Sequence, residues 1–536
     1  MFQRVFFTAF LLVAFAFSPV GARASAFSFA DVQAKAQDLA NTAYTTPTPV
    51  PEFLTKLTYP EWSSIRCLPE KAIWAGEELP FTVQFFHPGL YYDRTVRIHL
   101  VDGETIEDVA FDPALFQYGS EELAKQAADN LPALGFAGFR LHFPLNRPDY
   151  QDEAAIFLGA SYFRALPVGS RYGIYSRGLA LDTATSQGEE FPYFTEFWIV
   201  KPAPDATEIT VYALMDSPSM AGAYRFIITP GSPTVTQVKN ALFIRQGAKN
   251  FRKIGLAPLT SMFFYGEEKN GRPDDFRPEV HNSDGLLFTD GSKNWYWSPL
   301  ANPRRLGVQI FPLNNPRGFG LLQRDTSFDS YQDLDARYDL RPSLWAEPEG
   351  DWGPGSLELV EIPTEDAYHD NIVAFWRPDK PRDKNASDKP EDELRYPDTL
   401  MYIWKLFWMP PSSSLHEKGQ ATSTRISRSG DTLTFHVDFA GGELSNLPED
   451  TGISSIVETP EPIPLLEKRL VRNPVTRGWR LEFKVRLPKE EGVLESLMAA
   501  RKGPVTLRFR AQLKQGENLP DPLTETWIYD WQLQPQ

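Results

Sequence analysis

The chain has 536 residues, a formal net charge of −16, 13 Trp, 20 Tyr and one cysteine, Cys67. The acidic balance disfavours nucleic acid and other polyanions as partners, and a single cysteine excludes an internal disulfide, leaving core burial to supply stability. A neutral polymer such as a glucan meets no electrostatic penalty, and the aromatic content leaves rings to line a groove once a core is filled.

In chain order, Arg4 precedes an apolar stretch over 5–17 and then Ala24-Ser25-Ala26, the pattern of a secretory leader cleaved before Phe27. Cleavage removes Arg4 and Arg23 and no acid, so −16 becomes −18. The stretch is shorter than the roughly 20 apolar residues of a membrane helix, and no later one approaches that length, so no membrane insertion is expected after cleavage. No cysteine stands at the cleavage site to take a lipid anchor. Phe29, Val32, Ala36, Leu39, Ala40 and Ala43 recur at helical spacing behind Ser28, with Asp31 three residues on, which predicts a capped helix. A second helix is predicted over 121–131. Strands follow at 81–85, 95–100, 139–143, 208–212 and 224–228, where apolar residues alternate between Gly, Pro, Asn or Asp. With 46 Pro and 35 Gly and no βαβ rhythm, residues 27–411 read as a large antiparallel β-sandwich with long loops. The charged, proline-dense tract 377–398 reads as a surface loop, and the Ser/Thr-rich tract 410–430 as a connection, with the linker placed at 412–428. Alternating strands over 429–536 suggest a small immunoglobulin-like sandwich, interrupted by a short helix over 490–501 that Gly503 ends.

The chain has no GxSxG elbow, no phosphate-binding glycine loop and no HExxH helix, and its seven His are scattered, so no cofactor or metal is expected. Asn282-Ser283-Asp284-Gly285 resembles part of a calcium loop without the terminal Glu, and reads as a tight turn. What remains are carboxylates among aromatics, over 277–285, 318–324 and 351–376. Glycoside cleavage needs an acid for the leaving oxygen, and an inverting enzyme adds a base about 6.5–9.5 Å away. Asp370 precedes the apolar run 372–376, where partial burial can raise its pKa and keep a proton available; composition alone equally fits an Asp capping a turn. Trp295, Trp297, Tyr338, Trp352 and Trp376 are candidates to stack on sugar rings or to fill the core. Arg324 can bond sugar hydroxyls or pair with a carboxylate, and Cys67 reads as a small buried apolar side chain.

Several longer stretches carry a resemblance: Pro167-Val168-Gly169-Ser170-Arg171-Tyr172-Gly173-Ile174-Tyr175-Ser176-Arg177-Gly178-Leu179-Ala180, Asn315-Pro316-Arg317-Gly318-Phe319-Gly320-Leu321-Leu322-Gln323-Arg324, Arg337-Tyr338-Asp339-Leu340-Arg341-Pro342-Ser343 and Asn473-Pro474-Val475-Thr476-Arg477-Gly478-Trp479-Arg480. From about Phe29 to its end the chain resembles the periplasmic glucan biosynthesis protein G/D family (OpgG/OpgD, also MdoG/MdoD). The resemblance implies a galactose-mutarotase-like β-sandwich joined to a small immunoglobulin-like one, a periplasmic location, and action on the β-1,2-glucan backbone of osmoregulated periplasmic glucans. An inverting endo-β-1,2-glucanase is the leading expectation. A β-1,2-glucan transglycosylase and a noncatalytic glucan-binding or assembly protein are the alternatives, and the membrane glucan synthase is a candidate partner. The leader lacks the twin-arginine pair of D-type members, which favours the G type.

By the same resemblance the general acid falls on Asp370, and Tyr338 matches a substrate-site tyrosine. Two departures lie at the chemistry. The family's Asp-Glu-Thr-Asn-Asp-Asn-Ile-Val is here Asp366-Ala367-Tyr368-His369-Asp370-Asn371-Ile372-Val373, and its His-Asp-Ser-Asx-Gly is His281-Asn282-Ser283-Asp284-Gly285. Asn282 therefore stands where a base is expected, and a neutral amide cannot accept a proton from water. Asp284 is the substitute base, about 7 Å further along an extended segment. His281, Asn282, Arg324, Trp295, Trp352 and Trp376 complete the expected substrate contacts.

Overall fold

Alternating apolar residues draw the chain into strands, which pair into sheets of ten, fourteen and four strands and two two-stranded ribbons. The computed structural model describes residues 27–533 except 131–133, 249–250, 268–273, 291, 293, 381–395, 412, 449, 489–505 and 517–520. The expected leader and the helix over 490–501 lie outside the described residues, as does most of the tract 377–398.

The all-β sandwich class expected from the sequence is present. The ten-stranded sheet runs from Thr82–Phe86 through Gly138–Phe143, Asp152–Leu158, Tyr162–Ala165 and Tyr175–Arg177 to Ile254–Ser261, Ile372–Pro378, Gly355–Glu361 and Gly307–Leu313. It faces the central strands of the fourteen-stranded sheet, Tyr193–Val200, Ile209–Asp216, Met220–Thr229, Thr234–Ile244 and Thr399–Met409. One continuous core fills the space between them, with Phe139, Phe157 and Phe163 from the first sheet meeting Phe197, Phe226 and Trp408 from the second. The predicted first helix forms at Phe29–Ala40, where the Ser28 N–H donates to the Asp31 carboxylate at 2.7 Å. Its Val32 and Ala36 pack on Trp198 and Ala223, covering the outer face of the large sheet. The second helix spans Glu121–Asn130.

Two expectations need correction. The strand Gln420–Ser429 occupies most of the linker expected over 412–428. It lies at the edge of the four-stranded sheet, burying Ala421 and Thr424, half-burying Gln420, Ser423 and Ile426 and exposing the rest, so its Ser and Thr content mimics a connection although Thr favours strands. The carboxy-terminal strands also do not stand apart. Ile453–Glu458, Thr506–Gln515 and Thr526–Gln532 oppose the four-stranded sheet across a second core of Phe435, Phe483, Phe509 and Trp527. They extend the fourteen-stranded sheet through a parallel pairing of Thr526–Gln532 with Trp295–Pro299.

Candidate functional site

Asp370 stands between an exposed loop and the strand Ile372–Pro378. Its neighbour Asn371 fixes that junction. The Asn371 Oδ1 accepts from the Phe263 N–H at 2.8 Å, and its Nδ2 donates to the carbonyls of Phe263 (3.0 Å) and Ile362 (2.9 Å). Solvent reaches Asp370 on one side, while protein atoms crowd it on the other. Crowding raises its pKa to about 6, against the opposing pull of Arg164, Arg177 and Arg341.

The cleft beside Asp370 has a volume of about 470 Å³, and Tyr92, Tyr162, Tyr175, Phe191 and Tyr193 lie on its wall. Arginines back these rings. Arg94 lies 4.1 Å from the Tyr193 ring centroid, Arg164 3.7 Å from Tyr172 and 4.9 Å from Tyr175, and Arg177 5.4 Å from Tyr162. The sequence reading missed these residues as site residues, although the 167–180 motif contains Tyr172, Tyr175 and Arg177. Without the sheet, nothing marks them as neighbours of a carboxylate about 200 positions later; Tyr175–Arg177 and Ile372–Pro378 flank the same strand, Ile254–Ser261, one on each edge.

Tyr338 is buried against Tyr331, and the Arg341 guanidinium lies 5.2 Å from its ring centroid. Arg341 also acts on Asp370, so these two expected site residues share one cation. Asp284 does not share the Asp370 cleft. It lines a second cavity of about 310 Å³ with Glu267, Glu279, His281 and Arg324, closed in part by Ser423 of the strand Gln420–Ser429. There the His281 Nε2 faces Glu279 at 3.0 Å and Asp284 at 3.5 Å, while Nδ1 meets the Gln323 Oε1 at 3.0 Å. Burial opposes the imidazolium, but Asp284 and Glu279 outweigh it and push the His281 pKa up to about 9. Burial raises Asp284 to about 6 despite His281 and the N–H groups of Asp325 and Arg324. Donor atoms of Glu279, His281 and Asp284 lie within 4.8 Å of one another, a set with the reach to hold a metal ion; in this structure they form an ion-pair triad. Asn282 is buried, donates its N–H to Met262 at 2.8 Å, and lines neither cavity.

The remaining expected contacts are structural. Trp376 is 0% exposed, and Trp352 is buried against Tyr402 and Trp404, so neither ring can stack on a sugar. Trp295 packs between Trp345 and His416. Arg324 lies 3.5 Å from the Trp297 ring centroid and pairs with the buried Glu525, while also lining the second cavity. Cys67 is a free buried thiol within the main core.

Among the described residues no helix is long and apolar enough to cross a membrane. Residues 27–531 match the family described as periplasmic glucan biosynthesis protein, MdoG. The chain is 42% identical over 519 residues to the "Glucans biosynthesis protein G" of Ralstonia nicotianae, covering 94% of this chain and 96% of that one. It is 42% identical over 510 residues to the protein of the same name from Rhodopseudomonas palustris, covering 95% and 94%, and 42% over 471 residues to that of Pseudomonas entomophila, covering 87% and 80%. Matched over nearly its whole length, the chain belongs to the periplasmic glucan biosynthesis protein MdoG family.

Proposed function

We propose that this protein processes the β-1,2-linked backbone of periplasmic glucans in the Asp370 cleft, as an inverting endo-β-1,2-glucanase with Asp370 as general acid. The observation that carries this reading is a carboxyl group raised to about 6 on the wall of a tyrosine-lined cleft. Such a group keeps its proton for a leaving glycosidic oxygen up to about pH 6, well beyond an ordinary Asp, and flat rings beside it suit the apolar faces of glucose. The chain reaches the periplasm through its leader, with the membrane glucan synthase as a candidate partner there.

Transfer to a sugar hydroxyl is the second reading. Its acceptor hydroxyl must lose a proton as water must, and with Asn282 neutral at the expected base position and Asp284 in a separate cavity from Asp370, both readings need a base within the cleft itself. Asp93 also lines the Asp370 cleft and is the base to test beside Asp284.

The test is incubation of the mature protein with linear β-1,2-glucan, following product size and linkage by mass spectrometry and NMR, with Asp370→Asn, Asp284→Asn and Asp93→Asn alongside. Shorter products that vanish in Asp370→Asn support hydrolysis, and rearranged products of conserved total linkage support transfer. Binding with no turnover by any of the proteins would leave a noncatalytic glucan-binding protein.

A further inference from the structure

The motif over 473–480 takes no part in either cavity; it joins the two strands of a hairpin, Leu465–Asn473 and Gly478–Arg486, in the four-stranded sheet. Among the described residues Leu465–Asn473 pairs on one side only, so its other edge is free. Residues 465–486 hold seven Lys or Arg against two Glu, a local charge of +5 in a chain of −16, which leaves −21 for everything else. What this hairpin attracts is therefore opposite to what the rest of the chain attracts.

Part of that charge is unmatched. Among the described residues Lys484 pairs with Glu467 at 2.9 Å, and Arg480 with Asp438 of the strand Thr432–Ala440 at 2.7 Å. Arg469 and Arg477 have no carboxylate in ion-pair contact among the described residues, and both are exposed. The aliphatic residues between the cations are also bare: Leu465, Leu466, Val471 and Val475 are exposed, Val475 to 90% at the hairpin tip. A register shift between Leu465 and Glu467 takes Leu466 out of the ladder. Leu470 pairs with the core residue Leu481, so Val471, opposite Arg480, lies on the outer face.

Cations alone would keep a free edge from pairing with another chain, but that role gives no reason for four exposed aliphatic side chains. A partner strand added to the edge would use backbone hydrogen bonds, and calls neither for the local charge nor for a bare valine beyond the last paired residues. Cations interleaved with aliphatics suit the headgroup layer of an anionic bilayer. Phosphate oxygens there accept from guanidinium groups and from the N–H groups of the edge, while the aliphatic side chains reach the acyl boundary. We infer that the free edge of Leu465–Asn473, with the tip over 474–477, docks this protein peripherally on an anionic lipid surface. At about 3.3 Å per residue the strand offers about 30 Å of contact. Screening confines the fields of exposed charges to about 8 Å at physiological ionic strength, so the hairpin governs its own contact despite the negative charge elsewhere.

Flotation of the mature protein with vesicles of equal parts phosphatidylglycerol and phosphatidylcholine, beside vesicles of phosphatidylcholine alone, tests this. At low ionic strength partition onto the mixed vesicles should exceed that onto the neutral ones about tenfold, a difference that shrinks with added salt. Arg469→Gln and Arg477→Gln should each weaken binding to the mixed vesicles about fivefold, and Val475→Asp should weaken it as well. Lys56→Gln and Arg147→Gln, which remove equal charge from exposed positions elsewhere, should leave it unchanged. The three hairpin positions are exposed, so the variants should fold, which circular dichroism checks. Equal partition onto the two kinds of vesicle, no partition onto either, or a preference untouched by the hairpin substitutions would overturn the inference. Co-sedimentation with native membrane fragments but with neither synthetic vesicle would also overturn it, in favour of a membrane protein as the partner.

Discussion

The proton on Asp370 is set by a contest between crowding and cations, and that contest fixes how activity responds to pH. Crowding wins and raises the group to about 6 while Arg164, Arg177 and Arg341 pull the other way. A general acid must hold its proton, so kcat/KM on β-1,2-glucan should fall about tenfold per pH unit above that value. Below pH 6 Asp370→Asn should lower turnover by about 10²–10⁴-fold, a deficit that narrows as rising pH strips the proton from the native acid. A flat profile from pH 5 to 8 would show that another group supplies the proton. The second cavity predicts a pH effect on stability instead. His281, usually near 6.5, is raised to about 9, so its contribution is complete below 6.5 and is lost as pH climbs through 9. Burial, then Glu279 and Asp284, raise Glu267 from 4.5 to about 8, so its neutral form is favoured by folding and that contribution is lost as pH rises through 8. Both have the same sign. The unfolding temperature should drop between pH 7 and 9, and Glu267→Gln should shallow the drop; scanning fluorimetry across that range checks both. At this scale the sequence marked Asp370 through the motif before Ile372, yet not the arginines around it, because local sequence does not encode which distant side chains approach one carboxylate.

The strand Ile372–Pro378 shows why periodicity misleads about single residues. Five consecutive positions from Ile372 are buried, Ala374 and Trp376 toward the main core and Val373 and Phe375 toward a smaller cluster with Ala180 and Val360. An apolar run without alternation marks a strand covered on both faces, so its tryptophan belongs to the interior. Trp376→Ala should therefore cost about 3–5 kcal/mol of stability, with the glucan affinity of the folded protein unaltered. Urea unfolding beside calorimetric binding separates the two effects, and lost affinity with unchanged stability would return Trp376 to the groove. The helix Phe29–Ala40 makes the opposite case: its cap and its apolar face are both local, and both are present as read from sequence except for Ala43, which falls past the helix end and is exposed. Gln420–Ser429 was hidden because an edge strand needs only one buried stripe, here Ala421 and Thr424.

Across the whole molecule, the two β-layers of the carboxy-terminal region are tied to the main sandwich by one buried charge cluster. Glu525, 0% exposed, pairs with Arg324 from the main sandwich and with His416 at 2.7 Å, while its carboxylate also accepts the Ala421 N–H at 3.1 Å. Removing one member of a buried pair strands the other's charge, so Arg324→Ala should destabilise the protein by about 3–5 kcal/mol. It should also speed proteolysis within the last strands, read by mass spectrometry of a time course; an unchanged digestion pattern would show that the parallel pairing of Thr526–Gln532 with Trp295–Pro299 is enough to hold them. Sequence by itself determined the all-β class, the capped first helix and the family, because alternation, capping and long motifs are local and survive in one dimension. Only the tertiary structure decided that Asp370 and Asp284 line separate cavities, that Trp352 and Trp376 are core, and that tyrosines backed by arginines line the cleft beside the acid. The physical reason is that a β-sandwich builds its clefts from strands far apart in sequence, and only their pairing order brings those side chains together.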